Sequence, residues 1–176
     1  PELGPGGGVP EGQAEFQSPA AYFNEKRLAD LAALGKPLLS QWSKTLAAIE
    51  KRYGVPAEIV VAIWGRESAY GRVVPGKLAI SALATESYLG RRKETFFPEL
   101  IAALQILQRG DVEPRRMRSS WAGALGQTQF LPSKFLEFAV DFDGDGRDDI
   151  WSSTPDVLAS IAHYLVQHGW TRGQGW

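Results

Sequence analysis

The chain has 176 residues, 44% of them hydrophobic and 22% charged, with no cysteine, two histidines and a formal net charge of −1. That balance suits one globular domain, which at this length buries roughly 70% of its unfolded surface without disulfide staples. Thiol catalysis, zinc–thiolate sites and disulfides are excluded, only His163 and His168 remain for imidazole chemistry, and no basic field points to nucleic acid. No apolar run approaches the roughly 18 residues of a membrane span.

In chain order, residues 1–20 read PELGPGGGVPEGQAEFQSPA, a Gly/Pro-rich stretch that predicts a flexible tail ahead of a domain over 21–176. Phe16, Tyr22 and Phe23 are placed to pin its end to the body. The chain starts at Pro1 without a leader, so the expectation is that any targeting segment has been removed or left out. Leu39, Trp42, Leu46, Ile49 and Tyr53 predict a helix over 37–53, with Gly54 as its C-cap. Pro56 opens a second helix whose stripe is Val60, Ile63 and Trp64 and which ends near Gly71. A third spans 95–109 with Phe97, Leu100, Ile101, Leu104 and Leu107 inward and Gly110 after it. A fourth starts at Ser133 and carries Phe135, Leu136, Phe138 and Ala139; the last, 155–168, turns Leu158, Ile161 and Leu165 inward. Segments 71–90 and 111–132 read as loops, with room for short hairpins, so the fold class is mainly α with functional loops.

Glu67 follows Trp64 by three residues, Ile63 by four and Val60 by seven, which puts its carboxylate on the core-facing stripe near a helix C-terminus. Burial beside an aromatic ring and the negative end of the helix dipole both favour the protonated form. A carboxylic acid held protonated near neutral pH is what glycoside cleavage needs. Spacing alone leaves a second reading open, in which Glu67 is a surface carboxylate paired with Arg66 or Arg72.

Taken together, IWGRESAYGR (63–72), LATESYLGRR (83–92), SWAGALGQTQFLPSKF (120–135) and DFDGDGRDDIW (141–151) resemble, in order, the motifs of lytic murein transglycosylases of the membrane-bound-B type. The resemblance runs over residues 30–172. It implies a lysozyme-like helical core and cleavage of the β-1,4 bond between N-acetylmuramic acid and N-acetylglucosamine, leaving a 1,6-anhydromuramyl end. It implies that Glu67 acts as single acid and then base, and that Ser120, Gln129, Arg91, Arg92, Tyr164 and Trp121 line the glycan groove. Amides and hydroxyls suit sugar hydroxyls and acetamides, aromatic rings suit sugar faces, and arginine suits the lactyl or stem carboxylates. Relative to that family the sequence lacks the longer N-terminal region and the extension past Trp176, so the expectation is an excised or processed core.

Asp141, Asp143 and Asp145 followed by Gly146 give the opening of an EF-hand loop, which converges oxygens on a hard cation, with Arg147 offering its carbonyl. Position twelve is Ser152, where an EF-hand places a bidentate Glu. The resemblance implies closure by Asp156 instead, after one inserted residue; the other reading is that Asp156 stabilises a helix N-terminus capped by Ser153 or Thr154. The expected cofactor is therefore structural calcium, with none in catalysis.

The expected partner is the glycan strand of peptidoglycan, met by a monomer in the bacterial periplasm or cell envelope, with the native protein anchored at the outer membrane as one option. Rival readings are a hydrolytic lysozyme with Glu86 or another acid activating water, a truncated non-catalytic peptidoglycan-binding module, and, more remotely, a calcium sensor.

Overall fold

The structure, a computed structural model, describes residues 24–173. The expected tail over 1–20 and its anchoring by Phe16, Tyr22 and Phe23 lie outside those residues. Among the described residues there are seven helices and one two-stranded ribbon: α1 (Glu25–Gln41), α2 (Ser43–Tyr53), α3 (Ala57–Ser68), β1 (Lys77–Leu78), α4 (Ala79–Tyr88), α5 (Lys93–Arg109), β2 (Arg118–Ser119), α6 (Pro132–Phe138) and α7 (Thr154–Gln167). One core joins them. α1 packs on α3, α2 and α3 pack on α7, and α5 packs on α4 and α6.

The helix expected over 37–53 is two helices. Asn24 caps α1 by accepting the Arg27 N–H at 3.0 Å, and α1 ends where Trp42 leaves helical geometry at φ −102° and ψ 16°. α2 restarts at Ser43 and ends on Gly54, whose φ of 70° is the left-handed C-cap expected there. Leu46 and Ile49 of α2 are fully buried, each contributing about 1.5–3 kcal/mol. α1 was hidden in the sequence because Gly35 and Pro37 read as breakers. Gly35 has a packing reason: a Cβ there, or at Gly65 of α3, would collide with the Tyr70 ring. Tyr70 wedges between the two helices, donates its hydroxyl to the Leu31 carbonyl at 2.8 Å and meets Trp64 edge-on at 5.4 Å.

The segment expected to be loop over 71–90 contains α4, which buries Ala79 and Leu83. Two buried residues make too short a stripe for a periodic signal to register. The ribbon joins the two loop segments, pairing Lys77 with Ser119 and Leu78 with Arg118, antiparallel. α5 occupies the expected span, and Leu100 and Leu107 pack against the core as expected, but the other three residues named for the inner face turn outward. Phe96, Ala102, Ala103 and Ile106 are buried, whereas Phe97, Ile101 and Leu104 are 57%, 41% and 45% exposed. Alanines on the inner face let α4 and α6 approach closely, and the bulkier residues turn outward.

α6 starts on Pro132, which suits a first turn because it needs no N–H partner, and buries Phe135 and Phe138 as expected. Glu99 of α5 holds it from outside, accepting from the Ser133 N–H at 2.8 Å and hydroxyl at 2.7 Å. α7 buries Leu158 and Ile161, and Ser153 is its N-cap, accepting from the Asp156 N–H.

Candidate active site

A cleft of about 440 Å³ opens between α3, α7 and the segment that runs into α6. Ile63, Phe130, Leu131, Ile161 and Leu165 make its apolar wall; Glu67, Thr128, Gln129, Lys134 and Tyr164 supply its polar groups. Glu67 is the one carboxylate among these lining residues. It stands in the last turn of α3, where Val60, Trp64 and Ser68 are buried beneath it. Glu67 itself is exposed, so the burial argued from the stripe does not hold: the face bends out of the core one turn after Trp64 and delivers the carboxylate to the cleft. α3 stops at once, because Ala69 and Tyr70 take left-handed φ values of 49° and 63°.

The opposite wall is irregular chain held in a defined shape by the core. Gly126, at φ 56°, lies so close to Ile150 that a Cβ would meet its carbonyl oxygen at 2.6 Å. The Gln127 N–H donates to the Ile150 carbonyl at 2.9 Å. Its side chain bridges two indoles' neighbourhoods, accepting from Trp64 Nε1 at 2.7 Å and donating to the Trp151 carbonyl at 2.9 Å. Gln127 thus ties the helix that carries Glu67 to the chain that leaves the acidic loop. Gln129 has φ 55°, and its amide donates to the Gly126 carbonyl at 2.8 Å, which closes a compact turn. Strained backbone of this kind persists only where surroundings over-determine it. Between the two glutamines, Thr128 is 4% exposed, and its Oγ1 meets no hydrogen-bond partner among the described residues. A buried hydroxyl left unpaired costs about 1–3 kcal/mol.

Tyr164 reaches the cleft from α7 in a group of rings, 5.3 Å from Phe130, 5.2 Å edge-on from Phe138 and stacked at 4.0 Å on His168. Lys134 contributes the cation. Its ammonium bonds Glu137 at 2.7 Å, lies 5.2 Å over the Phe138 ring and is raised in pKa mainly by the Glu137 hydrogen bond.

Of the residues named from sequence, the structure gathers Glu67, Gln129 and Tyr164 in this cleft. Ser120, Trp121, Arg91 and Arg92 are not among its lining residues. The Ser120 hydroxyl closes a turn by accepting the Ala124 N–H at 3.1 Å, Trp121 is 46% exposed, and the exposed Arg92 lies 5.3 Å over the Phe96 ring. Glu86 is absent from the cleft as well, and its side chain packs by Gly90. Thr128 and Lys134 were missed. Both sit inside the quoted motif 120–135, but their types suggested only loop polarity and helix surface.

The acidic loop lies apart from the cleft. Oxygens of Asp141, Asp143 and Asp145 come within 4.8 Å of one another. Two oxygens on one calcium at 2.3–2.6 Å can be no more than about 5 Å apart, so the donor set fits that ion. Asp141 also accepts the N–H groups of Gly144, Asp145 and Gly146, which fixes the loop's curvature. Arg147 is exposed and donates its N–H to Asp145. Asp156 does not join the cluster. It is fully buried, and its oxygens accept the N–H groups of Phe142 at 2.8 Å, Asp143 at 3.3 Å and Asp149 at 3.0 Å. Burial pushes its carboxyl above the usual value, and those backbone bonds pull it partly back.

The model of the transglycosylase SLT domain matches residues 9–176. Membrane-bound lytic murein transglycosylase B of Escherichia coli (strain K12) is 39% identical over 135 residues, 76% of this chain and 37% of that protein. The crystal structure of SltB3 from Pseudomonas aeruginosa in complex with NAG-NAM-pentapeptide superposes with a TM-score of 0.87 at 48% identity, over 91% of this chain and 43% of that one. The Escherichia coli lytic transglycosylase Slt35 in complex with calcium gives 0.80 at 35% identity, over 92% and 53%. The chain therefore spans about two fifths of the length of the first two.

Proposed function

Because the chain belongs to the transglycosylase SLT domain family, we propose that it cleaves the MurNAc–GlcNAc β-1,4 bond of peptidoglycan and leaves a 1,6-anhydromuramyl end. Its helical core is of the lysozyme-like class. The observation that carries the reading is Glu67, the single acid among the residues lining a cleft that also presents Gln129 and Tyr164. Hydrolytic glycosidases commonly use two carboxylates across the bond. A lytic enzyme needs one, because the nucleophile belongs to the substrate.

In this mechanism a sugar seated over Glu67 removes the carboxyl from water, and desolvation favours its protonated form. Glu67 donates its proton to the glycosidic oxygen as the C1–O bond breaks. The muramyl C6 hydroxyl attacks C1, and the carboxylate takes the hydroxyl proton, so Glu67 ends protonated and no water enters the product. A hydroxyl on the same ring has an effective concentration beyond that of bulk water. Tyr164 and the apolar wall hold the sugar face, and Gln129 addresses its polar edge.

Calcium fits the acidic loop as a structural ion held by Asp141, Asp143 and Asp145 with the Arg147 carbonyl, while Asp156 fastens the loop's backbone. When bound, the ion supplies charge neutralisation there. The calcium complex of Slt35 supports the reading. The proposed setting is the bacterial periplasm or cell envelope, and the relative named membrane-bound supports it. No described helix is long and apolar enough to cross a membrane.

Digestion of purified peptidoglycan in heavy-oxygen water tests the reaction. Unlabelled anhydromuropeptides are expected, and Glu67→Gln should abolish them while leaving the thermal transition in place. Labelled reducing ends would replace this reading with that of a hydrolytic lysozyme, and an absence of products with that of a binding module.

A further inference from the structure

We propose that Ser68, Ala69 and Tyr70 are positioning residues for Glu67: the strained turn they form holds the end of α3 still, so that one carboxyl can serve as acid and then as base. The inference rests on the glycan-cleaving reading above. Helix ends ordinarily fray, and Glu67 stands one residue before the end of α3. Here the last turn is tied down. The buried Ser68 hydroxyl donates to the Trp64 carbonyl at 3.2 Å and accepts the Gly71 N–H at 3.1 Å. The Ser68 carbonyl accepts the Val73 N–H at 3.0 Å, and the Ala69 N–H donates to the Gly65 carbonyl at 2.9 Å. The Tyr70 hydroxyl moors the turn to Leu31 of α1.

The chain makes these bonds by turning left-handed at three residues in a row, Ala69 at φ 49°, Tyr70 at 63° and Gly71 at 74°. Gly71 takes that conformation freely, and a Cβ there would strike the Gln127 side chain. Ala69 and Tyr70 do not, because the Cβ of each crowds its own backbone. One left-handed residue suffices to close a helix, and glycine is the usual choice. Two consecutive side-chain-bearing residues in that region exceed what a helix end needs, and strain of this kind clusters where a site must keep one geometry. The left-handed region open to alanine is small, whereas glycine roams it and beyond, so Ala69, at ψ 45°, restricts the backbone two residues from the acid. The chemistry explains the need. The carboxyl must meet the glycosidic oxygen and then the C6 hydroxyl of the same ring, and a misplacement of about 1 Å can cost about 100-fold in rate.

The test uses the full chain and two substitutions that move stability in opposite directions. Ser68→Ala deletes the hydroxyl that accepts the Gly71 N–H, so the melting temperature should fall. Ala69→Gly removes the crowded Cβ, so the melting temperature should rise by about 2 °C or more. Both loosen the turn. Both should therefore lower kcat on soluble glycan strands about tenfold, counted as anhydromuropeptides released, and leave KM near the wild-type value. A merely structural role would make turnover follow stability. Ala69→Gly with wild-type or higher kcat overturns the proposal and, with anhydro products still formed, leaves the reaction standing. A lower melting temperature in Ala69→Gly overturns it as well, because the turn would then carry no strain to relieve. So does a raised KM at unchanged kcat, which would place these residues in binding. Should Ser68→Ala fail to fold, Ala69→Gly decides alone. Labelled reducing ends from the wild type in heavy-oxygen water, with that turnover lost in Ala69→Gly, would sink the transglycosylase reading and uphold the positioning role. No products from the wild type would overturn both.

Discussion

Two irregular segments flank the helix that completes the core, and they are held in opposite ways. Segment 126–131 takes its shape from outside. The Trp64 indole, the Ile150 carbonyl and the Trp151 carbonyl grip it. Segment 141–149 takes its shape from acids within the loop and from Asp156 just beyond it, whose oxygens accept its backbone N–H groups. The first arrangement holds irregular chain as one wall of the cleft that Glu67 also lines. The second gathers negative charge in one place and stabilises it only in part, which suits a cation. Irregular chain lines a cleft in the first case and gathers acids in the second, depending on where its hydrogen bonds are made.

The comparison can be broken most severely at Asp156. Asp156→Ala removes the acceptor for three backbone N–H groups and should cost about 3 kcal/mol in chemical denaturation, with faster hydrogen exchange at Phe142 and Asp149. A change below about 0.5 kcal/mol would show that the loop holds itself without it. Calcium should come next in size. At a free concentration 100 times its dissociation constant it stabilises by about 2.7 kcal/mol, read as a rise in melting temperature. Asp143→Ala combined with Asp145→Ala should remove that rise, while a shift that survives the double substitution would place the ion elsewhere. The smallest effect on stability, and the sharpest contrast in activity, belongs to Gln127. Gln127→Leu leaves the Trp64 N–H and the Trp151 carbonyl without their partner and should cost about 2 kcal/mol. Turnover should fall about tenfold or more, because displacing the wall opposite Glu67 misplaces the sugar. Unchanged turnover would show that the wall's shape does not depend on this bridge.

Much of this was legible in the sequence, and the gaps have physical causes. α2, α3, α6 and α7 announce themselves through bulky stripes with caps, and Glu67 through its place in the last turn of α3. α4 was hidden because it buries only Ala79 and Leu83, too few residues to mark a stripe, and α1 because Gly35 and Pro37 look like interruptions until the Tyr70 ring is seen to occupy the space. The face of α5 was read only in part, with Leu100 and Leu107 right, because periodicity weighs size, whereas close helix packing chose Ala102 and Ala103 over Ile101 and Leu104. The exposure of Glu67 depends on where the fold opens, which no helical spacing encodes. Thr128 was missed as a cleft residue because its place beside Glu67 is set by the turn at Gly126–Gln129, which no sequence spacing encodes.

The Tyr70 wedge also constrains how this protein can vary. Gly35 on α1, Gly65 on α3 and the ring between them occupy one volume, so each position's tolerance is set by the other two. Gly65→Ala is compatible with the fold only if the ring retreats, and a retreat breaks the bond to the Leu31 carbonyl and loosens the edge contact on Trp64. Substitutions at the three sites should therefore be strongly non-additive, with a smaller residue at position 70 rescuing alanine at 65 or 35. These positions form one heritable unit that must change together or not at all, and because Tyr70 follows Glu67 by three residues, drift in that unit reaches the turn that carries Glu67 directly.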